Sequence, residues 1–436
     1  MKYWNEHFEC MPREEIKILQ SRRLQKLVDR VYNNVPHYRQ KMIDAGVEPG
    51  DIKTVEDIVK LPFTTKQDLR DTYPFGMFAV PMDEINRIHA SSGTTGKQTV
   101  VGYTARDLDI WSECMARSMV GAGATSKSTV HIAYGYGLFT GGLGAHAGAE
   151  KMGCAVIPVS SGNTARQITI LKDFKPDLIC CTPSYALYLA EELHNSGGSA
   201  DDLYLKAGLF GAEPWTEEMR AELERKLGIK ALDIYGLSEI MGPSVSCECL
   251  AQNGMHVQED HFLIEIIDPV TLQPVPDGQQ GEVVFTTLTK EGIPLIRYRT
   301  RDLSYLMTEK CSCGRTTARM HRLCGRTDDM LIVRGVNVFP SQIESVLLEM
   351  GETAPHYMII VDRVGNHDTM EVQVEMTQAF FSDAVKNIEN LENKIKAQLA
   401  SVLGISVKVK LVEPKSIARS EGKAKRVEDR RKLVNK

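Results

Sequence analysis

The 436-residue sequence has no run approaching the roughly eighteen consecutive apolar residues that a membrane-spanning helix needs. Its opening, MKYWNEHFECMPREE, is charged where a secretory signal would be hydrophobic, so a cytoplasmic location is expected. Excess basic charge is also missing: 52 Lys and Arg face 57 Asp and Glu, for a formal charge of −5. Together with the lack of a basic patch interleaved with aromatics, this disfavours nucleic acid as a partner. Internal repeats and low-complexity tracts are absent, which excludes solenoids and long disordered arms. What remains is a chain too long for one ordinary domain, with an average apolar content of 42%, and two or three packed units are expected.

Ten cysteines in a chain without an export signal argue against a disulfide framework. Cys10, Cys114, Cys154, Cys180 and Cys181 read as small buried hydrophobes. Four other residues, Cys249, His256, Cys311 and Cys313, combine a Cys/His pair with a C-x-C pair in KCSCGRT, a knuckle able to present thiolates to one structural zinc ion. Cys249 is taken over Cys247 because it is nearer to His256.

The first eighty residues read as helices separated by proline-marked turns, with Thr64 or Thr65 as a cap. From Arg87 to about Leu237 short β-rich runs alternate with helical ones, the pattern of βαβ units and a largely parallel sheet. Residues 245–325 turn to strands and turns, and an α+β segment of about a hundred residues follows GRTDD. The basic tail is expected to end in a helix, and the glycine-rich YGYGLFTGGLGAH, 134–146, reads as a loop.

ASSGTTGKQT, 90–99, is dense in hydroxyls and glycines. It fails the Walker A test, because Ser91 stands where the first glycine is required and Gln98 follows Lys97. The side chains of Ser91, Ser92, Thr94 and Thr95, with the amides around Gly93 and Gly96, nonetheless suit a flexible grip on phosphate oxygens. Glu239 follows the strand-like ALDIYG, where an acidic oxygen suits a magnesium ion bridging nucleotide phosphates. Asp302 follows IRYRT and either accepts from ribose hydroxyls or pairs with Arg299 or Arg301. In the glycine-rich stretch, Tyr134, Tyr136, Phe139 and Gly141 suggest close approach to something flat, such as an aromatic acid.

The ordered motifs SSGTTGK, FGAEPW, DIYGLSE, YRTRDL, GRTDDMLIVRGVNVFPSQIE and RSEGKAKR resemble those of the adenylate-forming (acyl-CoA synthetase) superfamily. Their wording is most similar to the phenylacetate-CoA ligase family, with KQT where KPT is usual. The resemblance implies an α/β fold: a large N-terminal domain with mainly parallel sheets and a β-rich subdomain, plus a small mobile α+β C-terminal domain. It implies residues 1–325 as the adenylate-forming domain, 326–329 as a hinge centred on Asp328, and 330–436 as the mobile domain. ATP contacts are implied for Ser91 to Lys97, for Gly211, Ala212, Glu213 and Pro214, for Asp233, Tyr235, Gly236 and Ser238, and for Asp302 and Arg326. Lys423 is implied as the catalytic lysine, Glu239 as the catalytic magnesium ligand, and Arg334 and Gly335 as CoA contacts. The implied substrates are ATP, coenzyme A and an aromatic acid, and a homodimer is expected from the frequency of such assemblies.

Overall fold

The computed structural model describes residues 2–91, 98–329, 331–334, 336–351, 353–364, 367–377, 388–419 and 424–431. Helices Arg13–Asn34, Pro36–Asp44 and Lys66–Asp71 form the expected lead-in. Thr65, not Thr64, caps the last of these by accepting from the Asp68 amide, while Thr64 is buried against Tyr38 and the Ile296 carbonyl.

The organising element is a nine-stranded sheet. Strands Ala155–Ile157, Thr129–Ile132, Leu178–Cys181, Ala207–Gly211 and Lys230–Leu237 lie side by side and parallel. The helices between them, including Thr164–Phe174, Pro183–Asn195 and Glu217–Leu227, are the crossovers that parallel pairing requires. Gly242–Cys247, Met255–Val257, Arg319–Met320 and Leu306–Met307 extend the sheet with antiparallel pairing. The β-rich stretch is therefore shared: these strands join the large sheet, and Phe262–Ile267, Gly281–Thr287, Tyr298–Ser304 and Gly325–Arg326 make a separate antiparallel sheet of four. Beyond Arg326, residues from Leu331 to Leu411 bury a core of their own. It lies between helices Pro340–Met350 and Ile388–Leu403 and a sheet in which Thr353–Val364 and His367–Met376 are central. Within the tail, Val427–Asp429 forms an edge strand; the last residues, 432–436, where a helix is expected, lie outside the described residues. Cys114, Cys154, Cys180 and Cys181 are buried as expected, whereas Cys10 is half-buried.

The glycine-rich stretch corrects the sequence reading. Residues Thr140–Met152 form a helix rather than a loop. A Cβ on Gly144 would collide with the Trp111 ring, and one on Gly148 with the Cβ of Met115. Both contacts come from helix Ala105–Gly121, so Gly144 and Gly148 permit helix-to-helix contact. Alanine normally improves a helix by about 1 kcal/mol over glycine. Here overpacking reverses the sign, and Gly148→Ala is expected to lose about 1–3 kcal/mol in urea denaturation; a variant as stable as the parent would show the helices free to separate.

Candidate active site and metal centre

The loop dense in hydroxyls closes an antiparallel hairpin, Arg87–Ser91 with Thr99–Tyr103, in which Ser91 faces Thr99. Ser92, Gly93, Thr94, Thr95, Gly96 and Lys97 lie outside the described residues. At the neck of the loop the hydroxyls of Ser91 and Thr99 are buried without a partner among the described residues. Such an orphaned pair suits a ligand that brings acceptors.

Strand Lys230–Leu237 carries Asp233, Tyr235 and Gly236 to its C-terminal end, with Ser238 and Glu239 in the turn beyond. The Tyr235 hydroxyl donates to Asp302 Oδ2 at 2.7 Å, and its ring stacks on Phe285. Asp302 Oδ1 accepts from Arg326 Nη1 at 2.6 Å. The Arg326 guanidinium also reaches Asp328, with Nε 2.9 Å from Oδ1. Arg299 and Arg301, the partners first considered for Asp302, turn instead to Glu282. Tyr235, Asp302, Arg326 and Asp328 thus form one chain of contacts. Asp233 stands apart from it: burial pushes its carboxyl up, against the pull of Arg322, and its amide donates to Glu248.

Glu239 is buried and has Lys66 Nζ at 3.6 Å from its carboxylate. One buried carboxylate at the end of a sheet strand fits a magnesium ion that keeps most of its other ligands from water and phosphate. Ser238 Oγ lies 3.2 Å from Thr140 Oγ1, tying this turn to the glycine-rich helix. Tyr134 is buried, Phe139 is exposed at its rim, and a Cβ on Gly141 would meet both rings, so these three expected pocket residues are contiguous. The Tyr136 hydroxyl pairs with His146 Nδ1 at 3.1 Å.

At the end of strand Ala207–Gly211, Ala212 takes a left-handed φ of 72° and Pro214 is exposed. Glu213 accepts from the Ser184 amide at 2.7 Å and from the Ala424 amide at 2.9 Å. Lys423 itself and Gly335 lie outside the described residues. Arg334 turns toward Ser406 on its own unit.

The four expected metal ligands converge. The ligand atoms of Cys249, His256, Cys311 and Cys313 all lie within 4.8 Å of one another. Cys249 Sγ is 3.7 Å from Cys311 Sγ, and Cys313 Sγ is 3.4 Å from His256 Nε2. A tetrahedral zinc site with ordinary bond lengths has edges of about 3.8 Å between sulfurs and about 3.5 Å between sulfur and nitrogen, so the donor set fits. His256 Nδ1 meets Thr317 Oγ1 at 3.2 Å, the outer contact that orients a ligating imidazole. Cys247 points away, toward the Glu248 carbonyl.

Sequence reasoning missed Lys290, which is 1% exposed. Its ammonium donates to the backbone carbonyls of Glu239 and Ile240, at 3.1 and 2.8 Å, and lies over the Tyr103 ring. It fixes the turn that aims Glu239. Within TKEGIP a lone lysine beside glycine and proline looks like a solvated turn, and no local signal distinguishes it.

Residues 40–288 match the family described as AMP-binding enzyme, and residues 335–431 match the AMP-binding enzyme C-terminal domain. The chain is 52% identical to the phenylacetate-coenzyme A ligase of Escherichia coli strain K12, covering 97% of this chain and 96% of that one. It superposes on a 2-hydroxyisobutyryl-CoA ligase in the postadenylation state with a TM-score of 0.94 at 31% identity, over 99% of this chain and 93% of that one. Against the same ligase in its thioesterification state the TM-score is 0.74, at 32% identity over 100% and 94% of the two chains.

Burial holds Lys290 near 8, below its ordinary 10.5, although Asp107 and Glu239 oppose the shift. Between those values the unfolded chain binds more protons than the folded one, so this group's contribution to stability rises with pH across that window. Lys290→Met lacks the term. Comparing urea unfolding below and above the window, the wild type should gain on the order of 3 kcal/mol relative to the variant; parallel curves would mean that the ammonium is not buried.

Proposed function

The chain belongs to the AMP-binding enzyme family, in the branch of the phenylacetate-coenzyme A ligases, and from that membership we propose that it joins an arylacetic acid to coenzyme A at the expense of ATP. The observation that carries the reading is the meeting of Tyr235, Asp302 and Arg326 at the mouth of the sheet, within a chain so similar over its length to such a ligase.

In the first half-reaction the acid carboxylate attacks the α-phosphorus of ATP; an oxygen–phosphorus bond forms, the bond to pyrophosphate breaks, and an acyl-adenylate results. Asp302 accepts from the ribose, and Tyr235 with the turn at Gly211 to Pro214 flanks the adenine. The loop from Ser91 to Lys97 holds the departing phosphates, and Lys423 bridges carboxylate and α-phosphate oxygens. Catalysis here is positioning and charge stabilisation. Glu239 would hold magnesium, which neutralises phosphate charge when bound. Tyr134, Tyr136, Phe139 and Gly141 line the acid pocket.

In the second half-reaction the small unit, residues 330–436, turns about 326–329 with Asp328 at the pivot. This withdraws Lys423 and brings Arg334 and Gly335 toward coenzyme A. The thiol sulfur attacks the acyl carbon, the bond to AMP breaks, and the thiol proton passes to solvent. The much higher TM-score against the postadenylation state supports reading the present arrangement as the adenylate-side one.

Pyrophosphate exchange over a panel of acids tests the reaction. Phenylacetate is expected to exceed octanoate at least about tenfold in kcat/KM, a difference within reach of pocket selectivity, and AMP release is expected to require free CoA. Faster turnover of octanoate, or release driven only by a carrier protein, would overturn it.

Zinc at Cys249, His256, Cys311 and Cys313 belongs to the same proposal as a closed structural site. The knuckle it would brace holds the N-terminus: Tyr3 donates to the Cys313 carbonyl at 2.8 Å, and Arg315 pairs with Glu9 at 2.6 Å. Protein purified without chelator should carry about one zinc per chain, and Cys311→Ser should lose both the metal and several degrees of melting temperature. A zinc-free parent, or an unchanged melting temperature in the variant, would count against the site.

A further inference from the structure

The residues on either side of 420–423, Arg419 and Ala424, both meet carboxylates of the large unit, while 420–423, Lys423 included, lie outside the described residues. On one side, Arg419 Nη2 is 3.7 Å from Glu191 Oε2. On the other, the Ala424 amide donates to Glu213 at 2.9 Å. Both carboxylates are attached to one helix, Pro183–Asn195: Glu191 belongs to it, and Glu213 accepts from its Ser184 amide. A third contact comes from deeper in the small unit, where His356 Nε2 lies 2.8 Å from Glu191 Oε1. His356 sits at the irregularity in strand Thr353–Val364, between Thr353 and Tyr357, and is largely buried.

Glu191 therefore has a small-unit partner on each oxygen, His356 on Oε1 and Arg419 on Oε2. Arg419 is itself braced within the small unit by a two-pronged pair with Glu375, at 2.7 and 2.6 Å. That carboxylate also takes the amides of Lys415 and Ile417. The segment leading to residue 420 is thus rigidly tied to its own sheet, and Glu191 fixes that rigid piece to the large unit. Any rotation of the small unit about 326–329 pulls His356 and Arg419 off Glu191 together, because the carboxylate stays behind on its helix.

We infer that Glu191 is a positioning residue, a latch that holds the small unit in the adenylate-forming arrangement through His356 and Arg419 and must open before the thioester can form. The inference rests on the two-step reading above. A contact made in one arrangement and broken in the other shifts the balance between them by its own worth. Losing the latch should then slow the first step and spare or speed the second. A purely structural glutamate would damage both steps alike.

The test is single-turnover kinetics of each half-reaction in Glu191→Ala and His356→Ala, with melting temperature as the check on folding. Alanine is well tolerated in a helix, and Glu191 lies at the surface between the units rather than in either core. Adenylate formation is expected to fall about tenfold, the order of one charge-assisted hydrogen bond, while preformed adenylate and CoA react at wild-type rate or faster. Lys415→Ala, which removes the exposed pair with Glu192, should change neither step. Equal loss in both steps, or no loss in either, would overturn the latch. If the wild type itself makes no adenylate from any acid, it is the assigned reaction that fails.

Discussion

The arrangement turns on the Arg326 guanidinium, held between Asp302 on one side and Asp328 on the other. Asp302 and Arg326 are paired residues of adjacent strands, so the backbone fixes their separation before any side chain is placed. Asp302 is 1% exposed and Arg326 is largely buried. A charge in such a place is costly unless it is paired. One residue beyond Arg326 the Thr327 amide is still bound to the Arg301 carbonyl, and then the chain leaves the sheet toward the small unit. The point of departure is thus set by the Asp302–Arg326 pair. Whatever binds Asp302 acts on a group that also pairs with Asp328.

Much of this was legible in the sequence, for reasons of period and order. Alternating β and helical runs between Arg87 and Leu237 have few folded solutions other than a parallel sheet with crossovers, and that sheet is present. The cysteine cluster was legible from donor chemistry alone, and folding brings the ligand atoms of its four members within 4.8 Å of one another. The glycine-rich stretch was misread because glycine lowers helix propensity, while the gain that offsets it is the contact with Trp111 and Met115, about thirty residues earlier in the sequence. Propensity is local and packing is not. Lys290 was invisible for the same reason: what buries it is Tyr103 and the turn after strand Lys230–Leu237, distant in sequence. Glu191 lay in a helix whose pattern, ending EELHN, reads as an ordinary solvated face.

The cysteine knuckle and the lysine turn play comparable parts at opposite ends of the same sheet. Near Cys249, strands Met255–Val257 and Arg319–Met320 meet the N-terminal segment through Glu9, which accepts from two amides and pairs with Arg315. Near Glu239, the sheet end is fixed by an ammonium that satisfies two carbonyls. In both places the backbone turns away from regular pairing, and its polar groups must be satisfied by side chains. Side chains that do this are also the ones that fix the direction of Glu239 and the course of residues 2–13.

The two cores and the boundary between them differ in kind, as the proposed two-step reading would need. Residues Leu331 to Leu411 bury their apolar side chains among themselves. Among the described residues only Leu348 from this unit packs on the cluster that includes helices Pro183–Asn195 and Glu217–Leu227. Other ties across that boundary among the described residues are polar: Glu191 with His356 and Arg419, Glu192 with Lys415, Glu218 with Ser345, Glu213 with the Ala424 amide. An apolar boundary would lose about 25 cal/mol for every Å² exposed on separation, and nothing in water would repay it. Charged and amide groups exchange one partner for water, or for another face of the same unit, at small net cost. The boundary is therefore specific in register yet contributes little apolar burial.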